Sequence, residues 1–422
     1  MSGKNVLVIK GATLIDGTGA KPVKDAVVVV EDSKIVDVGK GVDVPRGAKV
    51  VDVAGKTVMP GLIDSHMHFM GMKTDKFVEE QFVTPPGVSL LRASKDAEAL
   101  LEAGFTMVKD CGGPNALYLK RAIAEGTIRG PRILASGFAL SQTFGHGDTH
   151  FLPIDWVDTR TSKGGHGLLC DGVDECMKAA RYALREGADF IKVCTTGGVM
   201  SERDRPEHTQ FTIDEIKAIV EVARFAGTFV TAHCQGTEGM HNSIIGGIKT
   251  IDHAFYPDDE AIKMAKEKDV IFVPTLSIMY KIDTQGKEAG MPEWGVRKCL
   301  EAWDTCIKNI RKIHDAKAKV AMGTDFCGSP LMKMGTNAME LQLLMEYSGF
   351  TAMDAIVAAT KGGSEACGLG DTLGTVEKGK FADVIVVDGD PLKDVKILQN
   401  KENVRLVVKN GKVEVNRGLK VS

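Results

Sequence analysis

Pro60-Gly61-Leu62-Ile63-Asp64-Ser65-His66-Met67-His68 is the stretch from which the rest of the chain is best read. In an extended strand alternate side chains face the same way, so His66 and His68 project together while Met67 turns into packing. Two imidazoles on one side of a strand can grip a single divalent cation.

Outward from this stretch, residues 59–373 alternate short apolar runs with segments of helical period, the pattern of successive βα units around a parallel sheet. Eight runs read as strands: 62–69, 106–110, 132–139, 190–194, 229–233, 250–254, 270–274 and 320–323. Eight is the number that closes a barrel. Between them lie amphipathic stretches such as 174–187, with Gly187 as a C-cap, and 212–223, where Thr212 and Glu215 are spaced as a capping box. Before residue 59 the chain reads as short strands at 6–9, 26–31, 34–38 and 49–53. Matching strands recur at 383–388 and 404–413, the latter folded back at Asn410-Gly411. The expected fold is therefore α/β: a (β/α)8 TIM barrel over 59–373, with a small β-sandwich built jointly from 1–58 and 374–422.

A chain of 422 residues accommodates such a barrel, which takes about 250 residues as one unit. Hydrophobic residues at 43% and charged residues at 26% describe an ordinary soluble globular protein. A net charge of -3 and a pI near 6.4 leave no basic footprint for nucleic acid or an anionic membrane surface. Nine cysteines, odd in number and without a Cys-x-x-Cys pair, argue against a disulfide framework and suit a reducing, cytoplasmic setting. No apolar run reaches membrane-spanning length, and the one at residues 6–9 is too short for a signal peptide.

Chemistry in a barrel of this kind gathers at the C-terminal ends of the strands. Lys192 lies on strand four, His233 closes strand five, His253 stands on strand six and Asp325 follows strand eight. Taken singly, a strand-end histidine is often a hydrogen-bonded core residue, an aspartate can cap a helix and a lysine can reach past its strand to water. Together with His66 and His68 they place five metal-preferring groups and a lysine where the architecture makes strand ends converge. His146, on the glycine-flanked loop after strand three, is a further functional candidate because such loops carry function. His150, His166, His208, His241 and His314 fit no ligand position and read as structural or surface residues.

The order His-x-His, Lys, His, His, Asp resembles the amidohydrolase superfamily over nearly the whole chain. Pro60-Gly61-Leu62-Ile63-Asp64-Ser65-His66-Met67-His68, Gly323-Thr324-Asp325 and Gly379-Lys380-Phe381-Ala382-Asp383-Val384-Ile385-Val386 sharpen the likeness. The resemblance implies that Lys192 is carboxylated and bridges two divalent ions, zinc in the first instance. His66, His68 and Asp325 would hold one ion, and His233 and His253 the other. It also implies attack on an amide carbonyl by a hydroxide between the ions, with Asp325 passing the proton to the leaving nitrogen. Homo-oligomers are common in such barrels and are expected here.

Two loops narrow the resemblance: Ser136-Gly137-Phe138-Ala139-Leu140-Ser141-Gln142-Thr143-Phe144-Gly145-His146-Gly147-Asp148 and Thr195-Thr196-Gly197-Gly198-Val199-Met200-Ser201. They are similar to those of the prolidase-like branch, which cleaves Xaa-Pro, Xaa-Arg or Xaa-Lys dipeptides and N-acyl amino acids. In that branch the histidine matching His146 hydrogen-bonds the oxygen of the tetrahedral intermediate. The branch's carboxylate-binding tyrosine is replaced here by Gln235, so either Arg203 or Arg205 meets a substrate carboxylate or the substrate lacks one. Lys333-Met334-Gly335-Thr336-Asn337 stands where the basic-residue carboxypeptidases carry His-Gly-Asp-Asn. The apolar loop Pro274-Thr275-Leu276-Ser277-Ile278-Met279-Tyr280-Lys281 favours a hydrophobic or aromatic leaving group, with Tyr280 as a contact.

The expected activity is thus hydrolysis of an amide bond in a small molecule, a dipeptide or N-acyl amino acid. Deamination or cyclic amide or imide hydrolysis on the same scaffold is the alternative, and Lys192 argues against the single-metal deaminases. A non-catalytic scaffold is a third reading, opposed by the retention of all six ligand positions.

Overall fold

A computed structural model of the chain describes residues 5–158 and 167–422, so His166 lies outside the described residues. The strands, in chain order, are β1 (Val6–Leu14), β2 (Val23–Glu31), β3 (Lys34–Lys40), β4 (Lys49–Asp52), β5 (Thr57–Pro60), β6 (Leu62–Met67), β7 (Phe105–Asp110), β8 (Arg132–Ala135) and β9 (Ala139–Ser141). There follow β10 (Gly167–Leu169), β11 (Ile191–Cys194), β12 (Val230–Cys234), β13 (Thr250–His253), β14 (Ile271–Val273), β15 (Val384–Val387), β16 (Val404–Lys409) and β17 (Lys412–Asn416).

The barrel strands pair in parallel as β6-β7-β8 and as β9-β11-β12-β13-β14, with β10 beside β9. Residues 320–324 close the ring. Val320 bridges Phe272, Ser65 donates to Met322 O at 2.9 Å, and Thr324 donates to His66 O at 3.0 Å. The architecture is a TIM barrel, with two departures from the expected strands. The third position is one continuous run in the sequence reading, but here it is split into β8 and β9. Gly137 at φ 69° and the Phe138 N to Ser136 O hydrogen bond of 2.7 Å turn the chain between them. The eighth position forms an isolated bridge rather than a strand, because the Met322 amide is drawn away to Ala358 O at 2.9 Å.

Helices cover the barrel where helical periodicity places them. Ile213–Phe225 begins with the Thr212/Glu215 capping box, and its Ile216, Ile219, Val222 and Ala223 are buried at helical spacing. Val173–Arg185 buries Cys176, Ala179, Ala180 and Ala183 on one face and is followed by Gly187 at φ 104°.

The terminal segments form one eight-stranded mixed sheet in the order β17-β16-β15-β5-β1-β2-β3, with β4 also on β1. The long β1 serves two partners: Leu7 to Lys10 pair with β4, and Thr13 and Leu14 pair with β5. Gly11, at φ 84°, sits at the register break between them, and a bulge there lets one strand turn the corner of a sandwich. Period-two alternation, offset by a bulge at Arg405, then divides the load. Val384, Val386, Leu406 and Val408 face the sandwich core, while Ile385, Val387, Val404 and Val407 pack into the barrel's core. Among the described residues no helix is long and apolar enough to cross a membrane, and all nine cysteines are buried free thiols.

Candidate active site

The alternation read in the sequence is realised on β6. Met67 is fully buried in the core, and the rings of His66 and His68 stand 5.3 Å apart at the strand's C-terminal end. Asp325 is brought to them by its own backbone, whose amide donates to His66 O at 2.7 Å in a left-handed conformation of φ 59°. Its Oδ1 lies 3.3 Å from His66 Nε2 and 2.9 Å from His68 Nε2. Gly323 is required there, since a Cβ would fall 2.8 Å from the His66 Cβ. Asp64 braces both sides of the seam. Its carboxylate accepts from the His66 amide at 3.1 Å, from the Thr324 hydroxyl at 2.6 Å and from Asn337 Nδ2 at 2.7 Å.

The adjoining strands complete a ring of buried groups. His253 sits 4.9 Å from His66 and 4.6 Å from His233, centroid to centroid. Its Nδ1 contacts Thr275 Oγ1 at 2.7 Å, and His68 Nδ1 contacts Gly112 O at 2.9 Å, which orients both rings. Lys192 points into the same space and pairs with Asp252, whose Oδ2 is also 2.9 Å from His66 Nδ1. His146 stacks on His233 at 3.8 Å and 11°, and a Cβ on Gly198 would strike the His146 ring at 2.4 Å.

The buried charges of the site are strongly coupled. Burial works against the Asp325 carboxylate, yet His66 and His68 hold its pKa well below the usual range. Burial also opposes a charged His66, but Cys111, Asp252 and Asp325 carry its pKa well above the ordinary value. His233 and His253 go well below theirs: burial leads in both, with His146 next for the first and His66 for the second. Neutral His233 and His253 keep a lone pair for a metal; the donor atoms of His66, His68 and Asp325 all lie within 4.8 Å of one another.

A cavity of about 350 Å³ opens over this cluster. His68, His146 and Asp325 line its floor, and Phe77, Phe151, Trp156, Met200, Ile278 and Trp294 are among its apolar walls. Of the sequence-derived candidates, the structure brings His66, His68, Lys192, His233, His253, Asp325 and His146 together. Arg203, Arg205 and Tyr280 are not among the residues lining the cavity, although the Arg203 amide donates to the lining His150 at 3.2 Å. Arg203 lies beside Glu202, Arg205 pairs with Glu207 and Glu301, and Tyr280 packs with Trp303 and Tyr347. Gln235 is buried beside the site with its backbone amide on Thr196 Oγ1, and its Oε1 has no hydrogen-bond partner. Sequence reasoning missed Asp252 and Cys111, which form a second cluster with His66. Asp252 directly precedes His253, and an acid beside a strand-end ligand was the available signal.

A barrel with this constellation at its strand ends defines a class of hydrolytic enzyme. Residues 57–413 match the amidohydrolase family, and the chain belongs to that family. Within it, the chain is 35% identical to the ochratoxinase of Aspergillus niger over 98% of this chain and 88% of the relative. The crystal structure of the A. niger ochratoxinase superposes with a TM-score of 0.91 at 33% identity, covering 99% of this chain and 97% of that one. A Xaa-Pro dipeptidase with bound methionine superposes with a TM-score of 0.88 at 31% identity, covering 98% of this chain and all of the other (100%). An imidazolonepropionase of Geobacillus is 26% identical over 94% of this chain and 91% of its own length. The chain is accordingly an enzyme that hydrolyses an amide or related C–N bond.

Proposed function

We propose that the enzyme cleaves the amide bond of an N-acyl amino acid or dipeptide carrying a large hydrophobic group. The convergence of His66, His68 and Asp325 beneath an aromatic-walled cavity carries this reading. It is supported by the similarity to an ochratoxinase and to a Xaa-Pro dipeptidase.

His66, His68 and Asp325 would hold one divalent ion, and His233 and His253 a second, with a carboxylated Lys192 between them. Zinc suits this nitrogen-rich donor set. Two such ions supply a water-derived nucleophile at neutral pH and an electrophile for the carbonyl. The chain's own residues do the rest. Asp325, at the cavity floor, takes the proton of the attacking water and delivers it to the leaving nitrogen. His146 faces the reacting carbonyl, and the aromatic walls orient the substrate while excluding water. In the same reading, residues 59–373 make up the catalytic unit, and 1–58 with 374–422 the composite sandwich.

A panel of Xaa-Pro, Xaa-Arg, Xaa-Phe and N-acetyl amino acids together with ochratoxin, an imidazolone and an amino-heterocycle, assayed with zinc and bicarbonate, tests the assignment. Turnover is expected for members with an aromatic group. Turnover confined to imidazolone-type or amino-heterocycle substrates would replace it with the cyclic-amide or deaminase reading.

A further inference from the structure

Behind His146 lies a chain of buried polar groups that the hydrolytic site, as described so far, does not use. His146 Nδ1 is 2.9 Å from Ser201 Oγ, and the Ser201 hydroxyl donates in turn to Asp204 Oδ1. Asp204 is 1% exposed and its carboxylate gathers donors: Gln210 Nε2 at 2.8 Å, the Gly198 amide at 3.5 Å and the Lys298 ammonium at 3.6 Å. Lys298, itself 4% exposed, fastens the loop by donating to Gly198 O at 2.9 Å, Asp204 O at 2.6 Å and Ser201 O. Gln210 ties the two ends together, since its Oε1 accepts the His146 amide at 2.9 Å.

A hydroxyl has one proton, and an ionised carboxylate can only accept. With its proton committed to Asp204, Ser201 meets His146 Nδ1 through a lone pair, so the hydrogen of the neutral ring belongs on Nδ1. We propose that Ser201 and Asp204 are positioning residues for His146: they hold a ring hydrogen on Nδ1 and aim Nε2 at the substrate. The three residues come from two loops joined only in the fold, and Lys298 from a third element, the helix Glu293–Asp315, holds the relay in register.

Ring-¹⁵N histidine labelling of the metal-loaded enzyme tests the tautomer directly, with His146 assigned by the signals missing from His146→Gln. At a pH where the ring is neutral, the Nδ1–H form is expected in the wild type and in Ser201→Thr, and a mixed or reversed tautomer in Ser201→Ala. An Nε2–H ring in the wild type, or one unaltered by Ser201→Ala, would overturn the proposal. A kinetic arm rests on the amide-hydrolase reading. Ser201→Ala should lower kcat about tenfold with KM and metal content unchanged, and should have no further effect in a His146→Ala background. Loss of metal, or an equal loss of rate in both backgrounds, also overturns it. If the wild type turns over no amide, the functional reading falls, and the tautomer measurement still decides the relay.

Discussion

Four non-glycine residues at the site hold left-handed backbones: His253 at φ 74°, Ala254 at φ 52°, Thr275 at φ 54° and Asp325 at φ 59°. Each costs on the order of 1–3 kcal/mol, and such strain collects where side chains must be aimed rather than merely packed. His146 is aimed by its partners instead, and it lies outside the ligand set. His146→Ala is expected to lower kcat about a hundredfold while metal content, read by elemental analysis, stays the same. A different residue sets a pH dependence of stability. Asp96 has an Oδ2 without a hydrogen-bond partner, and burial pushes its pKa up to about 7. The folded state then keeps a proton that the unfolded chain releases near pH 4, so stability falls as pH rises from about 4 to 7. Asp96→Asn should remove this slope and gain about 2–3 kcal/mol at pH 8, after a discount for partial exposure, with little change at pH 4. Urea unfolding at the two pH values measures it.

At the scale of elements, the hairpin tip Asn410-Gly411 links the two chain ends. Gly411 donates to Ala382 O at 3.0 Å, and Ala382 donates to Ser33 O at 2.9 Å, beside the turn between β2 and β3. A Cβ on Gly411 would lie 1.7 Å from Asp32 O, at φ 76°. Gly411→Ala should therefore destabilise by about 2 kcal/mol or more, visible as a lower denaturant midpoint, with the ligand cluster untouched. This hairpin was legible in the sequence because a two-residue Asn-Gly turn between apolar strands is a local signal. The pair on β6 was legible for the same reason, since a period of two needs no tertiary information. Strand three was not. Its interruption depends on Gly137 fitting against Leu117, a contact between distant residues. Strand eight reads as regular because Val320-Ala321-Met322-Gly323 is a short apolar run, whereas its pairing is decided by Ala358 drawing off one amide. The Ser201-Asp204-Lys298 relay was equally hidden, its members being common residue types that only the folded loops bring together.

Across the whole molecule, the composite sandwich packs one face of β15 and β16 against the barrel, so the two chain ends buttress the ring whose strand tips hold the site. The ligand positions come from distant parts of the chain, His66 to Asp325, and nothing but barrel closure makes them neighbours. In the proposed site they gather around two cations with Lys192 between. Elemental analysis of the purified enzyme beside Lys192→Ala, with hydrolysis of an aromatic amide followed in parallel, tests this most directly. Two divalent ions per chain are expected in the wild type, with at least one ion and all measurable turnover lost in the variant; full metal content and full activity in Lys192→Ala would contradict it.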